Sequence, residues 1–145
     1  MIALIQRVSS ASVSVDGESI GKIGRGLLAL VAVHRDDGEP DIARLAERIL
    51  TYRVFPDAED RMNRSLVDED CDLLLVPQFT LAADTKKGAR ASFTRAAPPE
   101  MGEDYFNRLV DACRERLETV ETGRFGANMQ VTLTNDGPVT FWLET

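Results

Sequence analysis

The sequence is poor in histidine and cysteine, two residues that often carry acid–base, nucleophilic and metal chemistry. A single histidine, His34, and two distant cysteines, Cys71 and Cys113, are spread over 145 residues. With no Cys-x-x-Cys spacing, neither a zinc site nor a disulfide framework is suggested, and both thiols are expected to be buried and reduced. No Ser-His-Asp or Cys-His pattern is visible either, which removes the commonest nucleophile–base arrangements. Apolar runs stay well short of the ~18–20 residues a membrane helix needs. The opening Met-Ile-Ala-Leu-Ile-Gln-Arg-Val alternates like a strand and lacks a basic segment followed by an apolar one. A soluble, cytoplasmic protein without a membrane partner is expected. Repeats and low-complexity tracts are also missing, and the length suits one domain over residues 1–145.

Positive charge is scarce overall. The net charge of −7 argues against a general nucleic-acid binder, whose affinity comes largely from Lys and Arg at phosphates. Distribution matters more than the total: between Thr85 and Ala97 stand Lys86, Lys87, Arg90 and Arg95 with no acid, so the other residues together carry −11. A basic loop on an acidic body can meet a few phosphates without coating itself in RNA; an ordinary solvated loop fits the charge alone equally well.

Alternation marks strands at 2–8 and 11–15, with Asp16-Gly17 turning into a third at 18–23. The unbroken apolar run 27–33 reads as a central strand covered on both faces. Pro40 opens a helix that ends near Tyr52 and buries Ile42, Leu45, Ala46, Ile49 and Leu50. Residues 57–70 read as a connection, 72–76 as a second buried strand stopped by Pro77, and 82–99 as a loop long enough to suggest function. A second helix is expected from Pro98-Pro99-Glu100 to about Glu121. Two last strands, 128–134 and 139–144, would be joined by a turn at Asn135-Asp136-Gly137-Pro138. The pattern is α+β with mostly antiparallel pairing and two main helices.

Two stretches stand out chemically. Gly137-Pro138 interrupts strand-like sequence where proline cannot donate to a ladder; a cis bond there would aim two consecutive carbonyls to one side, an acceptor pair able to hold an amine. Pro77-Gln78-Phe79-Thr80-Leu81 closes a buried strand, offering the Gln78 amide, the Thr80 hydroxyl and backbone N–H groups.

Taken together with Ile5-Gln6-Arg7-Val8, Ala83-Asp84-Thr85-Lys86-Lys87-Gly88, Ser92-Phe93 and Ala97-Pro98-Pro99, these stretches make the chain resemble the D-aminoacyl-tRNA deacylases along essentially its whole length. The resemblance implies the barrel-like α+β fold of that family and a homodimer with active sites at the subunit interface, each completed by the partner's cis Gly-Pro. It implies hydrolysis of D-aminoacyl-tRNA, and of glycyl-tRNA, including mischarged glycyl-tRNA(Ala), with rejection of L-amino acids and no cofactor. Gln78, Phe79 and Thr80 would be catalytic. Gly137, Pro138, Pro77 and Arg7 would bind the substrate and select its chirality. Lys86, Lys87 and Arg90 would meet tRNA phosphates, with Phe93 or Met129 packing on the terminal adenine.

One position departs from the family pattern: Pro77 stands where serine is usual, removing a hydroxyl and a backbone donor. A related animal deacylase that removes L-alanine from mischarged tRNA shares that proline but lacks the phenylalanine, so Phe79 and Asn135–Thr140 favour the D-specific branch. A non-catalytic nucleic-acid-binding module is the rival of another class. In the mechanism that follows, backbone N–H groups polarise the ester carbonyl while the neighbouring ribose hydroxyl helps water attack. A catalytic His34 or a nucleophilic Thr80 finds little support, since no neighbouring base is evident.

Overall fold

The computed structural model describes all 145 residues. The chain opens with one long strand, β1 (Ile2–Val15). Where the alternation suggests two strands, the structure keeps one and shifts its register around Val8. Asp16 and Gly17 take φ of 50° and 79°, the geometry of a tight hairpin turn, and lead into β2 (Glu18–Ile23).

The next strand, β3 (Gly26–Ala32), runs antiparallel to the first half of β1. Its side chains enter two apolar layers: Leu27, Ala29 and Val31 join the large core, while Leu28 joins a smaller one with Val13, Ile23, Leu74 and Val76. Covering on both faces is why its sequence does not alternate.

Helix α1 (Glu39–Thr51) starts at Gly38, whose N–H donates to the Asp41 carboxylate at 2.8 Å. That hydrogen bond holds the Asp41 pKa below its ordinary value. The expected five residues of α1 are buried. The stretch 57–70, read as a connection, carries more order than that. With β4 (Phe55–Pro56) it supplies a small ribbon through β5 (Met62–Arg64), followed by one helical turn, α2 (Leu66–Glu69), capped by Ser65 and Asp68.

Strand β6 (Asp72–Pro77) pairs in parallel with β3. After a 3₁₀ turn (Phe79–Ala82) and the long loop comes α3 (Pro99–Arg114). This helix stops well before Glu121. Leu117 stays buried and so continues the apolar spacing, but Val120 already belongs to a strand, β7 (Val120–Thr122), which is rich in β-branched residues and pairs in parallel with β6. The last strand, β8 (Gln130–Glu144), lies antiparallel along β1, and its outer edge carries no further strand.

The architecture is α+β. The sheet runs β2-β1-β3-β6-β7, with β8 on the other side of β1. It curls almost into a barrel: a Cβ at Gly21 of β2 would lie 3.0 Å from the Thr122 carbonyl oxygen of β7. Two main helices, α1 and α3, cover the large core, and the short α2 makes a third.

The β3–β6 pair meets at a close approach. A Cβ on Gly26 would fall 1.9 Å from the carbonyl oxygen of Asp72, its ladder partner. Because the obstacle is backbone, Gly26→Ala is expected to destabilise the protein by at least about 1–3 kcal/mol. Urea denaturation checks this, and an unchanged midpoint would contradict the approach.

Candidate functional site

A cavity of 460 Å³ opens beside the C-terminal end of β6. Pro77 is the last residue of that strand, opposite Val31, and the Gln78 N–H extends the pairing by one bond to the Val31 carbonyl at 2.7 Å. Proline fits here because a strand end does not require its missing N–H. Val31, Val76, Pro77, Gln78 and Phe79 form one side of the cavity, and Phe106 of α3 with Phe125 and Met129 of the β7–β8 loop forms the other. Gly123 lets that loop close in: its Cβ would lie 2.7 Å from the Met129 sulfur. The Gly123 N–H is bound to the Leu75 carbonyl at 2.9 Å.

Beyond the strand end, the Gln78 Nε2 donates to the Thr80 Oγ1. In the 3₁₀ turn, the Leu81 N–H is the first to find an acceptor within the turn, the Gln78 carbonyl at 3.2 Å. The amides of Phe79 and Thr80 precede it and have no intraturn partner. Thr80 is exposed, and Phe79 both lines the cavity and leaves 56% of its surface open.

The long loop is pinched at its base, where Asp84 and Ser92 exchange backbone hydrogen bonds of 2.8 and 3.0 Å. Lys86, Lys87 and Arg90 lie exposed on the tip so formed. Phe93 and Met129, paired in the sequence reading as contacts for one base, part company: Met129 lines the cavity, whereas Phe93 stands outside it and packs on the Phe79 ring, centroids 5.2 Å apart.

The tail departs from the expected hairpin. Between the pairs Gln6–Thr140 and Val8–Asn135, β8 places four residues where β1 places one, so Asp136-Gly137-Pro138 swells out of one continuous strand as a bulge. The Asn135 side chain clasps its base, Oδ1 accepting the Val139 N–H at 2.7 Å and Nδ2 donating to the Thr140 hydroxyl at 2.9 Å. Arg7 holds it from the sheet, Nε donating to the Asp136 carbonyl at 2.9 Å and Nη1 to the Val54 carbonyl at 2.6 Å. The Gly137-Pro138 bond is cis, and both residues are exposed.

This bulge and the strand end do not meet in one chain. Pro77 is level with Val31 and Ala3, whereas the bulge faces Arg7. The two lie four residues apart along β1, ~13 Å, and three strand spacings of ~4.8 Å across the sheet. Sequence reasoning missed Phe125 and Phe106 as cavity walls, and Asn135 as the individual clasp. The segment Gly123-Arg124-Phe125-Gly126, an aromatic ring with glycines two positions before and one after it, carried the signal for Phe125.

The cavity is lined mainly by apolar side chains, and no titrating side chain is among its lining residues. The model of the D-Tyr-tRNA(Tyr) deacylase family matches residues 4–144. Curated D-aminoacyl-tRNA deacylases from Alkalilimnicola ehrlichii and Methylococcus capsulatus are 65% and 64% identical to this chain over 99% of it, and the matches cover 96% and 94% of those proteins. Among solved structures, one titled c-Myc DNA Unwinding Element Binding Protein aligns with a TM-score of 0.95 at 39% identity, over 100% of this chain and 99% of that one. A probable eukaryotic D-amino acid tRNA deacylase shares the fold at a TM-score of 0.86 and 17% identity, over 98% and 97% of the two chains. The chain belongs to the D-Tyr-tRNA(Tyr) deacylase family.

Of the two thiols expected to be buried, Cys113 is, whereas Cys71 is only half-buried. Burial pushes Cys113 up to about 12, and burial also raises Cys71, whose sulfur accepts from Arg25 Nη1 at 3.2 Å. His34 is not among the cavity-lining residues, and its backbone N–H is engaged by the Asp37 carboxylate. Iodoacetamide at neutral pH should therefore leave Cys113 unmodified in the native protein and alkylate it after unfolding. Mass spectrometry reads the difference, and rapid native labelling of Cys113 would refute its burial.

Proposed function

We propose that this chain hydrolyses the ester joining a D-amino acid to the terminal ribose of tRNA, releasing the free amino acid and the tRNA, and so proofreads chirality in translation. The observation that carries this reading is a family match running through both special stretches, Pro77–Leu81 and Asn135–Thr140. The terminal adenine enters the apolar cavity between Phe79, Phe125 and Met129, which brings the ester to the 3₁₀ turn. There the amides of Phe79 and Thr80 polarise its carbonyl. Gln78 fixes the Thr80 hydroxyl beside them, and the neighbouring ribose hydroxyl assists the attacking water. A single oxyanion donor is worth ~3–4 kcal/mol, so main-chain donors account for a large rate factor without a side-chain base. Nothing in this scheme draws on a metal or cofactor.

The amino group is gripped by the carbonyls of Gly137 and Pro138 from a second copy of the chain. Their distance from the strand end within one chain, and the free outer edge of β8 that bears them, favour a homodimer with two interfacial sites. With the ammonium held there, an L side chain is driven into main-chain atoms, whereas a D side chain points outward. Glycine has no side chain to reject, so glycyl-tRNA, including glycyl-tRNA(Ala), is also a substrate. Arg7 keeps the bulge in position. Lys86, Lys87 and Arg90 meet phosphates near the acceptor end. No helix is long and apolar enough to cross a membrane. On this reading the enzyme meets its tRNA substrate in the cytoplasm.

A second reading rests on the 39%-identical structure whose title names a DNA unwinding element binding protein. On this chain four basic loop residues on an acidic body make a narrow face for duplex binding. A third, editing of L-alanyl-tRNA, rests on Pro77. One comparison separates all three: release of tyrosine from D-tyrosyl-tRNA, with L-tyrosyl- and L-alanyl-tRNA spared and no gel shift of plain duplex DNA. Equal cleavage of the D and L esters would sink the chiral mechanism.

The phosphate role has its own check. Lys86→Glu with Lys87→Glu should raise KM for tRNA and lower the slope of log KM against log salt by about 2, with kcat little changed. An unaltered slope removes the loop from the interface.

A further inference from the structure

Phe79 and Phe93 are two of the four large apolar side chains that the fold leaves exposed, at 56% and 44%, and they lie against each other at a tilt of 50°. They do different work. Phe79 belongs to the cavity wall, whereas Phe93 stands just outside, next to Ser92, which closes the basic loop. Phe93 is presented from anchored backbone: its carbonyl accepts the Ala96 N–H at 3.1 Å, the Arg35 Nη1 reaches the Thr94 carbonyl at 2.9 Å, and the Ala97 N–H reaches the Val33 carbonyl at 2.9 Å. An exposed ring held this firmly is not a loose loop residue.

From the cavity outward the surface therefore offers Phe79, then Phe93, then Lys86, Lys87 and Arg90. No acid lies between Thr85 and Ala97, and the carboxylate that precedes them in sequence, Asp84, already accepts the Lys86 backbone N–H at 3.0 Å. Aromatic faces followed by cations are what an unpaired nucleic-acid strand requires, because bases stack on the rings without regard to sequence while phosphates follow the charge.

We infer that Phe93, braced by Phe79, is the stacking platform for the unpaired nucleotide immediately upstream of the esterified terminal adenosine. The inference rests on the deacylase reading and extends it by one nucleotide. It accounts for the separation of Met129 from Phe93, one inside the cavity for the terminal base and one outside for its neighbour.

The test compares D-tyrosyl-tRNA with D-tyrosyl-adenosine, which has no upstream nucleotide. For Phe93→Leu, which keeps an apolar side chain but no aromatic face, the ratio of kcat/KM on the tRNA to that on the adenosine ester should fall about tenfold, through KM. Phe93→Tyr should restore it. An unchanged ratio, whether because both substrates suffer equally or because neither does, overturns the inference, as does loss of the oligomer in Phe93→Leu, which would make the pair a contact between copies. A parent protein inactive on both esters would sink the deacylase reading itself and take this inference with it.

Discussion

The site hangs from the place where the parallel pair β3–β6 stops. Both strands are buried on two faces, so their positions are set by packing on each side and their ends have little freedom. At Pro77 the ladder has one more bond to make, from the Gln78 N–H to Val31, and then the chain must turn. The tight 3₁₀ turn that follows leaves the amides of Phe79 and Thr80 without a partner inside the turn, beside a cavity whose far wall is supplied by α3 and the β7–β8 loop. A polar rim on an apolar well follows from ending a fully buried strand in this way.

The bulge across from the middle of β1 solves a different problem. Asp136-Gly137-Pro138 would be a weak projection if it were only a surface turn. Instead the Asn135 side chain acts as a local clasp, and Arg7, half-buried in the sheet, fixes the Asp136 carbonyl. The main-chain acceptors are thus shaped in advance of any ligand, which lowers the ordering cost of binding. In the proposed enzyme, discrimination and rate enhancement both come from backbone atoms held by neighbouring side chains.

Much of this was legible in the residues. The helix over Pro40–Tyr52, the Asp16-Gly17 hairpin and the doubly covered strands at 27–33 and 72–76 follow from local rules, because periodicity and turn chemistry act over a few residues. The errors fell where distant pairing overrides local pattern. Leu117 kept the helical spacing alive, yet the edge of β6 draws Val120–Thr122 into a strand. Asn-Asp-Gly-Pro has the composition of a turn, yet both flanking segments pair with the same strand, and a turn became a bulge. Gln78, Phe79 and Met129 could be expected together at one site. Phe106 and Phe125 could not, since helix and loop reach the cavity only through tertiary packing.

The bulge also ties its own size to the hydrophobic interior. Upstream of it Val131 and Leu133 pack in the smaller core, and downstream Val139 and Phe141 pack against the larger one, which also contains Leu143. If a residue inserted or deleted at the tip is not taken up by the bulge, the downstream half of β8 slips by one position and turns Phe141 and Leu143 toward solvent. The length of the projection is therefore coupled to the phase of the strand that carries it.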